Sequence, residues 1–341
     1  MKAVRFDQYG DVDVLAYEDA DTPVPGAGQV LVKVAATSFN PADVAFRAGY
    51  LSEIIPLTLP HIPGLDLAGT VESVGPGVTG WKTGDAVVAI LPMADDGAAA
   101  EYVLAPADLL ALAPTTVDLA DAAALPASGL TAWQALFEHA GLTARQTILV
   151  NGAGGGVGGY AVQLARRAGA TVTATASSRS ADRLRGHGAD TIIDYTVTPV
   201  AEAADGQFDV VLNLVANSPE DAAALVGLVA DGGIYVSATT PAAGDPARDV
   251  RTAQMAVRSD GAAGRARRPS RRQRADDRRR RPTAPQRAGG GSPAGRAGRA
   301  AGQDRHHPLS PPPPPLGKRD RRGGAPRPFG KKIFFISNGP G

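Results

Sequence analysis

The residues best suited to chemistry in this sequence form a glycine-rich run, Asn151-Gly152-Ala153-Gly154-Gly155-Gly156-Val157-Gly158. Residues 147–150 before the run are rich in β-branched side chains, and residues 160–167 after it have apolar residues at helical spacing. The pattern predicts a buried strand, a tight turn and a helix. Such a turn directs the free N–H groups of the first helical turn, with the positive end of the helix dipole, at a phosphate group.

The run matches the dinucleotide fingerprint G-x-G-x-x-G with one departure. Ala153 stands in place of the first glycine, while Gly155 and Gly158 match the other two. Glycine is required where a Cβ would block the pyrophosphate or hold the helix away from its strand. We therefore expect a pyrophosphate to be bound by Ala153, Gly155, Gly156, Val157 and Gly158.

The end of the next predicted strand, residues 170–176, indicates which dinucleotide is bound. It continues as Ser177, Ser178 and Arg179, about twenty residues past the turn, as the fingerprint requires. A cofactor without a 2′-phosphate usually needs an Asp or Glu here to accept from the ribose hydroxyl. Two hydroxyls and a guanidinium suit a 2′-phosphate instead, so the predicted cofactor is NADP(H).

Composition excludes several other kinds of chemistry. The 341 residues contain no cysteine, which rules out disulfides, thiolate zinc sites and a thiol nucleophile. The first residues have no apolar signal core, and no stretch is apolar for the ~20 residues of a membrane span. We expect a soluble protein of the cytoplasm without membrane contact.

The net charge of +1 is the sum of an acidic part and a basic part of the chain. Residues 1–257 carry 13 Lys and Arg against 29 Asp and Glu, whereas residues 258–341 carry 22 against 5. An acidic body with a basic tail results.

The acidic body itself divides in two. Its first part has short predicted strands between Gly and Pro turns, which favours a barrel-like β domain: 30–37, 68–74, 84–90 and 100–104. Predicted helices at 118–125 and 130–139 follow, the second with Trp133 and Leu136 on one face. Further strands are then separated by helical spacing, which predicts a doubly wound parallel sheet: 190–195, 208–215 and 232–237.

Six ordered motifs give this body a family resemblance. They are Phe39-Asn40-Pro41-Ala42-Asp43, Phe46-Arg47-Ala48-Gly49-Tyr50, Pro63-Gly64-Leu65-Asp66-Leu67-Ala68-Gly69, Val74-Gly75-Pro76-Gly77-Val78, Gly84-Asp85-Ala86-Val87 and Ser128-Gly129-Leu130-Thr131-Ala132-Trp133. With the glycine turn, they resemble the medium-chain dehydrogenases/reductases, more narrowly the zinc-free, zeta-crystallin-like NADPH quinone oxidoreductases. The resemblance implies an α/β protein with a GroES-like β-rich catalytic domain over 1–122, a Rossmann NADP-binding domain over 123–258 and a cleft between them.

The resemblance also implies roles for individual residues. Asn40 and Thr131 are expected beside the nicotinamide and its ribose, and Tyr50 at the mouth of the substrate site. Tyr195 is expected to help hold the 2′-phosphate, and the strand end from Asn213 to Val215 to pass under the nicotinamide ribose. Two alternatives stay open, because Asn40 also suits a turn cap before Pro41 and Tyr50 suits ordinary packing.

Zinc does not suit these residues. Zinc-dependent relatives have a ligand Cys where this chain has Asn40 and a His where it has Leu65. The four structural cysteines of those relatives also have no counterpart between Pro92 and Glu101, and His61 is expected to be a surface or packing residue. We predict no metal site.

Without a Lewis acid, hydride transfer needs an acceptor that is already electron-poor. We therefore expect NADPH to reduce a quinone or an α,β-unsaturated ketone, with an enoyl thioester as an alternative acceptor within the enzyme class. The alternative outside that class is a nucleotide-bound, non-catalytic protein whose basic tail contacts nucleic acid, although the tail has few aromatic residues for base stacking. A homodimer is expected from the family alone.

The tail, residues 259–341, has no apolar periodicity and predicts disorder. In the family this segment supplies the closing helix and strand of the catalytic domain. Read one nucleotide later, residues 302–308 permit Gly-Lys-Thr-Val-Ile-Thr, which resembles the end of relatives, and residues 261–266 permit the helical Glu-Gln-Leu-Ala-Ala-Leu. We hypothesise a frameshift close to Asp260, with residues beyond about 308 read through. As written, the tail would leave a sheet edge unpaired and the activity of this chain in doubt.

Overall fold

A computed structural model describes residues 1–255 and the backbone of residues 333–334. The first third is built from short strands that end at Gly and Pro turns, as the sequence predicts. The strands are β1 (Lys2–Arg5), β2 (Ala16–Asp19), β3 (Gln29–Ser38), β4 (Asp66–Val74), β5 (Ala86–Ile90), β6 (Tyr102–Pro106) and β7 (Ala111–Leu112). One helix, α1 (Pro41–Arg47), lies between β3 and β4.

The long strand β3 organises this part. It pairs antiparallel with β4 and with β6, while β4 continues to β5 and β5 to β7. Alternate residues of β3, Val30 and Val32, are fully buried together with Leu67 of β4 and Val87 of β5. Burial of apolar side chains from several strands on one side produces the closed β-rich core that the sequence indicates.

Two short helices lead from this core to the rest of the chain. They are α2 (Leu119–Ala122) and α3 (Pro126–Trp133), and α3 runs directly into a π-helical segment, Gln134–His139. The prediction that Trp133 and Leu136 share one face is wrong. Trp133 is 42% exposed and Leu136 is fully buried, because the wider π turn changes the direction of successive side chains just after Trp133.

The second half alternates strands with helices. In chain order these are β8 (Thr147–Asn151), α4 (Gly156–Arg167), β9 (Thr171–Ala176), α5 (Ser178–Gly186), β10 (Thr191–Asp194), α6 (Val200–Ala203), β11 (Phe208–Asn213), α7 (Pro219–Gly227), β12 (Val229–Ser237) and β13 (Arg251–Gln254). The sheet order is β10-β9-β8-β11-β12-β13, with every pair parallel. The order reverses between β8 and β11, and in open α/β sheets ligands bind at such a switch point, beyond the carboxyl ends of the strands.

Both faces of this sheet are buried. Ile148 and Val150 of β8 pack on one side in a cluster with helix α4, and Leu149 between them packs on the other with α7. Apolar residues on both faces explain why these strands have nearly continuous hydrophobic sequences.

The described part of the tail is short. Ile333 and Phe334 form a strand, β14, whose backbone pairs antiparallel with Ser38 and Thr37 at the end of β3. The hypothesis of a frameshift and the prediction of disorder over 259–341 otherwise fall outside the described residues. Among the residues described, no helix is long and apolar enough to cross a membrane.

Candidate functional site

The glycine turn lies at the carboxyl end of β8 and opens helix α4. Gly155 is the N-cap residue, and Gly156, Val157 and Gly158 occupy the first turn, where backbone N–H groups have no acceptor within the helix. Gly155 and Gly156 are exposed. The turn therefore presents N–H donors on an accessible surface, as binding of an anionic pyrophosphate requires.

Two glycines of the turn are needed for different reasons. Gly152 has a φ of 86°, a conformation that other residues rarely adopt, and a Cβ there would lie 2.9 Å from the side chain of Val215. At Gly158 a Cβ would lie 2.5 Å from the Cα of Ala153 and from the carbonyl oxygen of Gly152. The turn and the helix can approach this closely only without side chains, whereas Ala153 is accommodated in full burial.

A chain of buried side chains braces the turn from below. The N–H of Gly152 donates to Oγ1 of Thr175 over 2.8 Å, and that hydroxyl donates to Oδ1 of Asn151 over 3.1 Å. The amide of Asn151 donates in turn to Oδ1 of Asn213 over 2.9 Å. Three neighbouring strands are thereby joined beneath the turn, and sequence reasoning missed this contribution of Asn151 and Thr175.

Asn213 lies at the centre of this network, beneath the turn. Its side chain is fully buried, and its Nδ2 donates to the hydroxyl of Tyr235 over 3.0 Å. The N–H of Val215 donates back to Oδ1 of Asn213 over 3.2 Å, and Val215 is 39% exposed beside Gly152. Of the two residues predicted at this strand end, Val215 is the one with a side chain that a cofactor can reach.

The residues predicted for the 2′-phosphate lie at the start of α5. Ser177 is its N-cap residue, and Ser178 and Arg179 are the exposed first two residues of the helix. Asp194 of β10 lies opposite Ala176, the last residue of β9, in the parallel sheet. Tyr195 follows Asp194 directly and is 54% exposed, so it is adjacent to the same strand end. The structure thus brings these four residues to one edge.

Sequence reasoning missed Arg183, which holds α5 against the glycine turn. Its Nη2 donates to the carbonyl oxygen of Gly154 over 2.8 Å. Arg183 lies four residues after Arg179 and therefore on the same helix face. That spacing was the signal available in the sequence.

Asn40 is the N-cap residue of α1. Its backbone therefore has the capping position that the alternative interpretation predicted. Its N–H donates to Oδ2 of Asp43 over 2.7 Å, while its side-chain Nδ2 donates to Oδ2 of Asp66 over 3.0 Å. Burial raises the pKa of Asp43 to about 6, against the opposing effect of the Asn40 N–H and with a further increase from the Asp66 carboxylate. The side chain of Asn40 is therefore fixed among carboxylates.

Thr131 and Tyr50 differ in their surroundings. Thr131 is 7% exposed on α3, and its hydroxyl donates to the carbonyl oxygen of Ala127 over 2.6 Å. Tyr50 is 62% exposed in the turn after α1. Asn40 donates to Asp66, which also accepts the N–H of Ala127, the residue whose carbonyl oxygen accepts from Thr131. Tyr50 takes part in none of these hydrogen bonds.

Candidate metal ligands do not assemble. Across residues 1–255, the structure contains no group of three or more His, Cys, Asp or Glu side chains that could hold an ion. Leu65 is buried, and His61 packs edge-on against Phe6 with ring centroids 5.4 Å apart. Burial lowers the pKa of His61, which fits a packing residue. An amide and an aliphatic side chain at positions 40 and 65 do not suit zinc.

Two parts of the chain match two known domain families. Residues 26–115 match the alcohol dehydrogenase GroES-like domain, and residues 156–264 match the domain described as zinc-binding dehydrogenase. The GroES-like β domain and the parallel Rossmann sheet of the predicted fold class are thereby confirmed.

Individual relatives give a narrower placement. The chain is 42% identical over 201 residues to a chloroplastic quinone-oxidoreductase homolog of Spinacia oleracea, covering 57% of this chain and 61% of that protein. It is 36% identical to a chloroplastic NADPH-dependent alkenal/one oxidoreductase of Arabidopsis thaliana, covering 70% and 62%. The solved quinone oxidoreductase of Coxiella burnetii superposes with a TM-score of 0.68 at 31% identity, covering 77% of this chain and 84% of that one.

A GroES-like domain followed by a Rossmann sheet with a glycine turn defines the class of these proteins. The chain belongs to the medium-chain dehydrogenase/reductase superfamily, as a quinone-oxidoreductase-like member. It spans about three fifths of the length of the spinach relative, 61%.

Proposed function

We propose that this protein transfers a hydride from NADPH to a quinone or an α,β-unsaturated ketone without a metal ion. The proposal depends on one observation: the glycine turn and the start of α5 lie side by side at the carboxyl ends of two neighbouring strands, β8 and β9. The names of the spinach and Arabidopsis relatives support the reaction class. Residence in the cytoplasm and a homodimer remain predictions from composition and from the family.

The cofactor is expected to be held at two points. The N–H groups of Gly156, Val157 and Gly158 suit the pyrophosphate, since they lack helical acceptors. Ser177, Ser178, Arg179 and Tyr195 suit the adenosine 2′-phosphate, because hydroxyl donors and a guanidinium occupy the place where an acidic residue would favour NADH. Arg183 would support this end by fixing α5 on the turn.

The bound cofactor supplies the hydride, and the protein residues position the reactants around it. The hydroxyl of Thr131 and the amide nitrogen of Asn40 already donate within the protein, to Ala127 and to Asp66 with Ser38. Neither residue thus offers a free donor to polarise the oxygen of an acceptor. This favours acceptors whose oxygen needs little activation and takes its proton from water, such as quinones and enones.

Metal-free chemistry is supported by the donor set. Asn40 and Leu65 stand where the zinc-dependent relatives have a thiolate and an imidazole, and His61 is engaged in packing. Oxidation of a simple alcohol needs a Lewis acid or a base at the hydroxyl, and these residues provide neither.

The test uses the full chain treated with a strong chelator and then freed of it. NADPH and NADH are titrated by fluorescence, and NADPH consumption is followed with a quinone, an enone and, in reverse, a secondary alcohol with NADP⁺. We expect tighter binding of NADPH, turnover with the quinone or enone, and no turnover of the alcohol. Alcohol oxidation that appears when zinc is added would contradict the metal-free reaction. Equal affinity for NADPH and NADH would contradict the preference for NADPH.

A further inference from the structure

Asp66, the first residue of β4, is a buried carboxylate without an assigned role in the reaction. Its relative exposure is 0%, so burial removes its hydration entirely. A carboxylate in such a place is stable only when donors replace the lost water. Donors from three different elements converge on it.

The donors come from both of the predicted domains, 1–122 and 123–258. Ser38 at the end of β3 donates its hydroxyl to Oδ2, and Asn40 at the start of α1 donates its Nδ2 to the same oxygen over 3.0 Å. The other oxygen, Oδ1, accepts the backbone N–H of Ala127, in the first turn of α3, over 2.7 Å. A negative charge at a helix N-terminus is also favoured by the helix dipole.

These contacts connect the two residues expected beside the nicotinamide. Ala127 donates its N–H to Asp66 and accepts the hydroxyl of Thr131 over 2.6 Å on its carbonyl oxygen. Asn40 contacts Asp66 directly on the other side. A single carboxylate therefore fixes the amide of Asn40 and, through Ala127, the helical turn that carries Thr131.

Its position also determines which way the Asn40 amide faces. Nδ2 of Asn40 meets two acceptors, Oδ2 of Asp66 and, over 3.4 Å, the carbonyl oxygen of Ser38. An amide with its oxygen on that side would face acceptors without a proton to donate. The Asn40 oxygen is thereby held on the opposite side, as an acceptor.

We propose that Asp66 is a positioning residue for hydride transfer, which sets the orientation of the Asn40 amide and the placement of Thr131. The proposal rests on the proposed function, since it assigns Asp66 a part in that reaction. Asp66 acts through its neighbours and is not itself expected to contact the substrate.

The first test is Asp66→Asn, which keeps the size of the side chain and puts an NH₂ group among donors. We expect kcat to fall about hundredfold, the range for loss of a hydrogen bond to a charged group, while the Kd for NADPH changes by less than about twofold. The matched control is Asp209→Asn, because Asp209 also accepts an N–H and a hydroxyl, both from Thr147, but at the other end of the Rossmann strands. Asp209→Asn should lower the Tm and leave kcat unchanged.

A second variant exchanges the two partners, Asn40→Asp with Asp66→Asn. The new Asn at position 66 can donate to the new Asp at position 40 and still accept from Ala127, so an acceptor oxygen again faces away from position 66. We expect kcat at least about tenfold above that of Asp66→Asn alone. If the kcat of Asp66→Asn is as high as that of Asp209→Asn, Asp66 has no positioning role. The same holds if Asp66→Asn changes only the Kd for NADPH.

A readout without turnover separates this inference from the proposed function. The side-chain NH₂ signals of Asn40, identified in the ¹⁵N spectrum by their loss in Asn40→Ala, should exchange slowly with water and should exchange faster in Asp66→Asn. If neither the wild-type chain nor a chain with the reading frame restored after Asp260 consumes NADPH, the proposed function is contradicted, whatever the spectrum shows. Unchanged exchange in Asp66→Asn contradicts the positioning role, whatever the activity.

Discussion

The backbone N–H of Gly152 donates to the hydroxyl of Thr175 over 2.8 Å, which ties the glycine turn to the end of the neighbouring strand. Thr175 is 1% exposed, so water cannot replace its hydroxyl. Thr175→Val keeps the shape of the side chain but leaves the Gly152 N–H without its acceptor, at a cost of about 1–3 kcal/mol. We expect a lower Tm and a several-fold weaker NADPH affinity by fluorescence titration. Thr175→Ser, which keeps the hydroxyl, should bind NADPH more tightly than Thr175→Val; the opposite order would contradict this role.

The close approach of α4 to the turn predicts that Gly158→Ala is severe. The added Cβ would lie 2.5 Å from backbone atoms of Ala153 and Gly152, which cannot move aside as a flexible side chain can. We expect loss of NADPH binding with a clearly lowered Tm. The control is Gly227→Ala at the end of α7, where no described atom outside the neighbouring residues and backbone of that helix lies within 4 Å of the added Cβ. That change should be neutral or stabilise by up to ~1 kcal/mol, since alanine favours the helix.

Arg179 is expected to distinguish NADPH from NADH. Loss of a charge-assisted contact to the 2′-phosphate costs about 1.5–3 kcal/mol, so Arg179→Ala should weaken NADPH binding roughly 10- to 100-fold. NADH binding should hardly change. Arg185→Ala removes the same charge from the same helix, where Arg185 pairs with Asp182 over 2.8 Å, and should leave both affinities unchanged. If Arg179→Ala weakens the binding of NADPH and of NADH equally, Arg179 does not contact the 2′-phosphate.

The raised pKa of Asp43 predicts a dependence of stability on pH. Its folded pKa is about 6, above its ordinary value of 3.8, so the folded state holds a proton that the unfolded state releases. The contribution of Asp43 to stability is present below the unfolded pKa and is lost as the pH rises through about 6. The loss amounts to about 3 kcal/mol.

Urea unfolding at several pH values tests this prediction. The difference in unfolding free energy between wild type and Asp43→Asn should shift against the wild type between about pH 4 and pH 7, because Asn stays neutral throughout. Asp194→Asn provides a comparison of opposite sign, since hydrogen bonds from Thr196 lower the pKa of Asp194 and its contribution is lost as the pH falls. A constant difference for Asp43→Asn would show that Asp43 is ionised in the folded protein over this range.

Local patterns predicted the Rossmann half well. The strand, turn and helix around Gly155 follow from β-branched residues, glycines and helical spacing that lie within a few residues of each other. Strand β13 was not predicted, because Arg251, Thr252 and Gln254 are exposed and leave no apolar alternation. It forms on the backbone edge of β12, which a sequence pattern does not reveal.

The site was predicted in its residue types more than in its contacts. Asn213 was expected at the cofactor from the family resemblance, yet its side chain, at the end of β11, is fully buried. Asp66 contacts Ala127, 61 residues further along the chain. In the sequence Asp66 belongs to the motif of residues 63–69, which gives no sign of its contacts, and only the folded chain brings donors from three elements to it.

Consumption of NADPH by the chain as written, with an enone as acceptor and deuterium at C4 of the nicotinamide, tests the central claim most directly. The same measurement on a chain with the reading frame restored after Asp260 tests the frameshift hypothesis. We expect deuterium at the β-carbon of the enone that the restored chain reduces; turnover with the restored chain alone would support the frameshift hypothesis. If neither chain binds NADPH, or if neither oxidises it with the enone or with a quinone, the proposed function is contradicted.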